Sequence, residues 1–324
     1  MHEIDLEKYN LRTDLIIEKD NNYQINNKYQ IDNIEVVDIV NNQDKYITIS
    51  FKDITDSFNY QKVKKVLIEE LNKLLLFEKI TPNNTVLIIG LGNRNATPDA
   101  LGSIVIENTI VTRHLYLLNN YDPRYRNTAA FTPGVMGNSG IETVDIIKGI
   151  IDKIKPDFVI AIDSLCASSI ERINHTIQIT NSGIHPGSGI GNNRLELSKK
   201  TLGIPIIAIG VPTVVDSIVL INDTIEYLMK KISYLKKNNN NSDKLKPLNK
   251  IKYYESENTL NDTEKKEILG YLGLLDENSK KELFYEILSP LDAPMIVTIK
   301  EIDFIIEKLG KLIADALNTS LHQI

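Results

Sequence analysis

Three observations place this chain among α/β folds with a mainly parallel central sheet and helices on both faces. Short β-branched runs recur at Thr85 to Ile89, Phe158 to Ile162 and Pro205 to Ile209. Each is followed by small, polar or glycine residues, and then by a segment with helical spacing of apolar residues, as parallel sheets require of their crossovers. The composition is 42% hydrophobic and 25% charged, that of a folded globular chain and not a disordered one.

The elements follow in order. The first 45 residues are polar and Asn-rich, with short alternating pieces such as Ile34 to Ile39, and predict an added N-terminal β layer outside the core. Tyr46 to Phe51 alternates as a strand. Asn59 to Lys79 carries Val63, Val66, Leu67, Leu71, Leu74 and Leu75 at helical spacing. Helical segments are expected at about 99–118, 165–173 and 213–235, each after one of the three β-branched runs. Lys236 to Lys250, with Asn238 to Asn241, reads as a flexible solvated insertion. Helices near 262–274 and 279–288, a strand at Met295 to Val297 and a last helix over about 299–317 complete the chain. Thr298 and Glu301 have capping-box spacing at the start of that last helix.

A length of 324 residues admits roughly two domains or one large one. The 37 Lys and Arg against 43 Asp and Glu leave a net charge of −6, which speaks against a direct grip on nucleic acid. The longest apolar stretches, Phe158 to Ile162 and Ile204 to Val211, fall far short of the roughly 20 residues of a membrane helix. Residues 1 to 20 carry His2, Glu3, Asp5, Glu7, Lys8, Arg12 and Asp14 where a secretion signal would be apolar. One cysteine, Cys166, excludes a disulfide framework and a cysteine-based zinc cluster, and the five histidines form no HExxH pair. A reducing, cytoplasmic setting fits, with no cofactor and no metal expected.

Chemistry is sought in the loops beyond the strand ends, where open α/β sheets bind ligands. Gly90 to Gly102 reads GLGNRNATPDALG after a strand. A dinucleotide fingerprint would need a third glycine where Asn95 stands and an acid about 20 positions on, and has neither. The loop instead offers Thr97-Pro98-Asp99 as a helix start, and Asp99 then either complements the helix dipole or meets a partner acid. Asp163, after Val159 to Ile162, is that partner, or else a strand-end turn residue. Two acids at neighbouring strand ends can share acid and base work, or hold a metal ion with water or a histidine. His185 lies in a glycine-dense loop, Ser182 to Arg194, as a proton carrier or a surface residue. Arg194 and Glu196 bind a substrate or pair with each other. Cys166 is either a thiol nucleophile or a small buried hydrophobe.

Taken together, several strings resemble the germination protease family of endospore-forming bacteria over nearly the whole chain. They are Tyr9 to Leu15, the GLGNRNATPDALG loop, Phe131 to Gly137, Ile162 to Leu165, the His185 loop, Gly210 to Asp216 and Val297 to Asp303. The resemblance implies an atypical aspartic-type endopeptidase that starts degradation of small acid-soluble DNA-binding spore proteins in the spore core, with Asp99 and Asp163 as the catalytic carboxylates. It implies a zymogen whose prosegment, residues 1–14, is removed autocatalytically at Asp14-Leu15, leaving residues 15–324 as one peptidase domain. It implies a homotetramer, and substrates cut after acidic residues, for which Arg124, Arg126, His185 and Arg194 are candidate binding positions. A core similar to that of hydrogenase maturation peptidases makes a metal-dependent peptidase the rival mechanism. A non-catalytic spore-protein binding module is the alternative on the same fold.

Overall fold

The computed structural model describes residues 13–19, 23–187, 195–237, 260–288 and 295–323. Residues 238–250 of the expected insertion, residues 1–12 of the expected prosegment and Arg194 lie outside the described residues. The chain divides into two compact units, one of Arg12–Ala167, Glu171–Val215 and Thr298–Ile324, the other containing Ser168–Ile170 and Asp216–Val297.

The larger unit is built on a mixed sheet. Three strands, β1 (Ile25–Ile31), β2 (Ile34–Asn41) and β3 (Asp44–Ser50), open it. Helix α1 (Ser57–Phe77) follows, its first turn held by the Asp56 carboxylate accepting from Asn59 N at 2.8 Å. Next come β4 (Val86–Gly90), α2 (Leu101–Glu107), α3 (Arg113–Leu117), β5 (Thr128–Phe131), α4 (Met136–Ser139), α5 (Thr143–Ile154) and β6 (Phe158–Ala167). They are followed by β7 (Thr176–Thr180), α6 (Lys199–Leu202) and β8 (Ile206–Asp216). The smaller unit contributes α7 (Ser217–Lys237), α8 (Asp262–Leu269) and α9 (Glu277–Leu288). Helix α10 (Ile302–Leu321) returns to the larger unit.

The strand order is β1-β2-β3-β7-β8-β6-β4-β5. The pairings β1-β2, β2-β3, β3-β7 and β7-β8 are antiparallel, and β8-β6, β6-β4 and β4-β5 are parallel. This corrects the expectation of a mainly parallel sheet. The physical reason is local: Asp32 and Asn33 (φ 49° and 68°) and Asn42 (φ 57°) take the left-handed conformation that tight hairpins need. The Asn-rich start therefore supplies turn chemistry. Its strands extend the sheet instead of adding a layer, and Val36, Ile47 and Ile49 sit in the main core with α1, α2 and α10.

Other boundaries also differ from the sequence reading. The helix expected over 99–118 is broken into a 3-10 turn, Thr97–Asp99, and two short helices, because Thr109 to Thr112 carries the chain across to β5. Instead of a helix at 165–173, β6 continues to Ala167, since Leu165, Cys166 and Ala167 are buried and still pair with β8. Thr298 Oγ1 donates to Thr213 O at 2.7 Å, so the expected capping box at α10 does not form and Glu301 is its N-cap. Helix α8 does carry a capping box, from Asn261 and Glu264.

Candidate active site

Alternation along the strands assigns the faces. Ile160, Ile162, Ile207, Ile209, Ile177 and Ile179 point into the core under α1, α2 and α10. The residues between them point to the opposite face. One register row on that face runs Val37, Thr48, Gln178, Gly210, Asp163 across β2, β3, β7, β8 and β6. Two polar side chains, Asp163 and Gln178, thus share a face with only Gly210 between them. Their Cα atoms stand two strand spacings apart, roughly 10 Å. Gly210 has no side chain for a packing reason: a Cβ there would lie 2.4 Å from Leu165 Cδ1, so Leu165 folds over that position.

Asp163 is only 3% exposed, and its Oδ1 accepts from Ser164 N at 2.9 Å. It is not past the end of its own strand. It sits level with the end of β4, where Gly90 pairs with Ile162 and Leu91 N donates to Ile162 O at 2.8 Å. The loop leaving β4 therefore starts beside Asp163.

That loop holds Asp99 through its glycines. Gly92 has φ +91°, and a Cβ on it would meet Asp99 O at 2.2 Å and Asp99 Oδ1 at 2.7 Å. Asn93 N donates to Asp99 O at 3.0 Å and Asp99 N to Ala96 O at 2.7 Å, closing the turn. Gly90 and Gly102 then let the β4 end and the start of α2 touch, for a Cβ on Gly90 would lie 2.3 Å from Gly102 O. The turn Thr97–Asp99 packs against β6. Ala96, and not Thr97, stands at the N-cap of this turn, without a side-chain cap. The glycine spacing serves close packing around a carboxylate and not a phosphate cradle.

The segment before β1 lies on the same face. Ile16 packs with Val37 and Ile39. Asp14 pairs with β6 through Asp14 N to Cys166 O at 3.0 Å, and its Oδ2 accepts from Cys166 N at 2.9 Å. Gln178 Nε2 donates to Asp14 O at 3.1 Å, and Gln178 Oε1 accepts from Ile16 N at 2.8 Å. Leu15 between them is wholly buried. Glu18 ties the segment down further, bonding Thr13 Oγ1 and pairing with Arg172 Nε at 3.2 Å.

Other candidate residues stand elsewhere. Arg126 precedes β5 and so lies at the amino edge of the parallel strands, opposite the Asp99 loop. It is buried there, donating Nε to Leu321 O at 3.2 Å and Nη1 to Thr81 O and Asn84 O at 2.6 and 2.8 Å, with its guanidinium over the Phe158 ring. Burial pulls its pKa below the usual arginine value, and the three carbonyls make it a clasp for the α10 terminus. Arg124 pairs with Asp122 at 2.6 Å in the open. His185 is exposed on the loop leaving β7, which runs antiparallel to β8 and so exits toward the same amino edge. The structure therefore packs the Asp99 turn against the strand that carries Asp163 and docks Asp14-Leu15 beside that same strand, and it leaves Arg124, Arg126 and His185 at the other edge. Cys166 is buried and contributes its main chain. Gln178 escaped the sequence reading, although it is the lone amide in the alternating strand Thr176-Ile177-Gln178-Ile179-Thr180. Among the described residues no group of three or more His, Cys, Asp or Glu side chains is arranged to hold a metal ion. Among them, too, no helix is long and apolar enough to cross a membrane.

A family model described as germination protease matches residues 3–324. The chain belongs to the germination protease family. The germination protease of Bacillus velezensis is 43% identical over 99% of this chain and 96% of its own length. Those of Bacillus subtilis strain 168 and Bacillus cereus strain 03BB102 are each 42% identical, covering 86% and 98% of this chain and 78% and 95% of their own. Family membership makes the chain a peptidase.

Proposed function

We propose that this chain is an endopeptidase of spore germination that cuts small acid-soluble spore proteins in the spore core, with Asp99 and Asp163 as an aspartic-type carboxylate pair. The observation that carries the reading is the row that puts a buried Asp163 on the sheet face against which Asp14-Leu15 is docked. Two carboxylates in one crevice do not both ionise cheaply, so one keeps its proton. The ionised acid removes a proton from water, and the water oxygen attacks the peptide carbonyl carbon. The protonated acid passes its proton to the carbonyl oxygen, giving a tetrahedral diol. Collapse of the diol breaks the C–N bond, a proton goes to the departing nitrogen, and a carboxyl and an amine are left.

In this reading residues 1–14 are a prosegment, and the chain processes itself at Asp14-Leu15. The zymogen is a homotetramer, as the family resemblance implies, and its mass in solution checks that. The substrates are DNA-coating proteins, so the net charge of −6 poses no obstacle, since the enzyme need not hold DNA.

The test is incubation of the full chain under mildly acidic conditions, with mass spectrometry of the new N-terminus. Leu15 should appear first in the wild type, and Asp99→Asn and Asp163→Asn should each slow processing and spore-protein cleavage by at least about a hundredfold. Near-normal cleavage by either variant sinks the carboxylate pair. The metal-dependent rival predicts loss of activity with a chelator and its return with a divalent cation, whereas the pair predicts no change. A pure binding module predicts stable complexes and no fragments.

A further inference from the structure

We propose that the main chain of Cys166 and the side-chain amide of Gln178 form the receptor for the residue whose carbonyl is cut, in substrates as well as in the chain's own leader. This rests on the reading that Asp14-Leu15 is a bond the enzyme cleaves. The contacts bracket that bond. On its acyl side the Asp14 carboxylate accepts from Cys166 N at 2.9 Å, and Asp14 N donates to Cys166 O at 3.0 Å. The carbonyl of the bond itself accepts from Gln178 Nε2 at 3.1 Å. Beyond the bond, Ile16 N donates to Gln178 Oε1 at 2.8 Å, and Leu15 is fully buried between the two clasps.

One primary amide thus reads an acceptor on one side of the bond and a donor on the other. An amide is suited to this, because it presents both a donor and an acceptor at its tip. Gln178 is itself 6% exposed, so both bonds form away from bulk water, where leaving either unmade is costly. Its donor meets the carbonyl oxygen that takes the acid's proton as water adds, and so polarises and orients that carbonyl for attack.

In this proposal the acidic preference comes from a main-chain donor, Cys166 N. Arg126 is engaged at the amino edge by Thr81, Asn84 and Leu321, and Arg124 pairs with Asp122, so neither is disposed to receive the side chain. A main-chain N–H favours a carboxylate through a charge-assisted bond but still donates to the side-chain oxygen of Asn or Gln. It offers nothing to Ala. The expected ranking before the cut bond is therefore Asp or Glu, then Asn, then Ala.

The experiment uses the processed enzyme and the peptide Asn10–Lys19 with Asp, Glu, Asn or Ala at the position of Asp14. Wild type should lose about tenfold in kcat/KM from Asp to Asn and a further tenfold or so to Ala. Gln178→Met, which keeps volume but removes both polar atoms, should lower kcat/KM at least tenfold for every peptide while the Asp-over-Ala preference persists, because Cys166 reads the side chain through its backbone. Arg124→Ala should leave the preference unchanged. Wild-type kcat/KM in Gln178→Met, or loss of the acidic preference in Arg124→Ala, overturns the proposal. Should Gln178→Met fail to fold by its melting curve, the wild-type ranking and Arg124→Ala still decide. Asp163→Asn separates the two levels. If it is inactive while Gln178→Met is normal, the receptor alone is wrong; if Asp163→Asn cleaves normally, the carboxylate reading is wrong.

Discussion

Gly102 shows how narrowly Asp99 is held. In a helix a Gly to Ala change ordinarily stabilises by about 1 kcal/mol. Here the new Cβ would lie 2.3 Å from Leu91 O and 2.5 Å from Leu91 N, main-chain atoms that cannot rotate away. Overpacking of this kind costs roughly 1–3 kcal/mol or more, so the clash outweighs the propensity gain. Gly102→Ala should therefore lower the unfolding free energy by about 1–2 kcal/mol in a denaturant titration, and reduce cleavage by shifting the Asp99 turn. An unchanged midpoint with full activity would show that the β4 end and α2 are not in contact as described. The sequence made the glycines visible but not their purpose, because a glycine-rich loop after a strand suits a phosphate as well as a close helix contact. The third-glycine test removed the first option, and only the distances supply the second.

At the scale of elements, β2 and β3 belong to the main core, while β1 is the exposed edge of the sheet. Ile49 is fully buried and packs in the same cluster as Leu67 of α1 and Leu312 of α10. Ile49→Ala should cost about 2–5 kcal/mol, as in other core truncations, and an appended layer would instead tolerate it within about 1 kcal/mol. Chemical denaturation of the two proteins distinguishes these outcomes. Helix α1 and the last helix were legible in the sequence from their helical spacing, and β4, β6 and β8 from their continuous apolar runs. The sequence carried poor notice of direction. Strand period is 2 whether a neighbour runs parallel or antiparallel, and the hairpins at Asp32-Asn33 and Asn42 lay hidden in what looked like low-value polar sequence. It also ended β6 too early. Asp163 reads as a terminator after an apolar run, while the buried Leu165, Cys166 and Ala167 carry the strand on.

For the molecule as a whole, acid works against the fold at the end of α10. His322 Nδ1 accepts from Arg126 N at 3.0 Å, and burial, aided by the Arg126 charge, pulls the imidazole pKa below its usual 6.5. The unfolded chain then binds a proton that the folded chain refuses. Stability present above about pH 6.5 is lost progressively as pH falls toward the lowered folded-state pKa. The melting temperature should fall between pH 7 and pH 5, and His322→Asn should flatten that slope, although its midpoint at pH 7 drops. An identical slope in the variant would assign the acid sensitivity to other groups. The matter bears on function, because processing is tested under mildly acidic conditions, and a drop in stability there must be separated from a gain in cleavage.

The sequence by itself determined that the chain is an α/β protein of the germination protease family, and it singled out Asp99, Asp163 and the Asp14-Leu15 junction, because local periodicity and motif order are written along the chain. Tertiary structure alone decided that the sheet is mixed, that Arg124, Arg126 and His185 stand away from the carboxylates, and that Gln178 joins them. Those facts depend on strand order and direction. Residues 15 apart, as Asp163 and Gln178 are, become neighbours in one row only once β8 has been inserted between β6 and β7. No spacing rule along the chain encodes that insertion, since it is set by which apolar faces bury each other best.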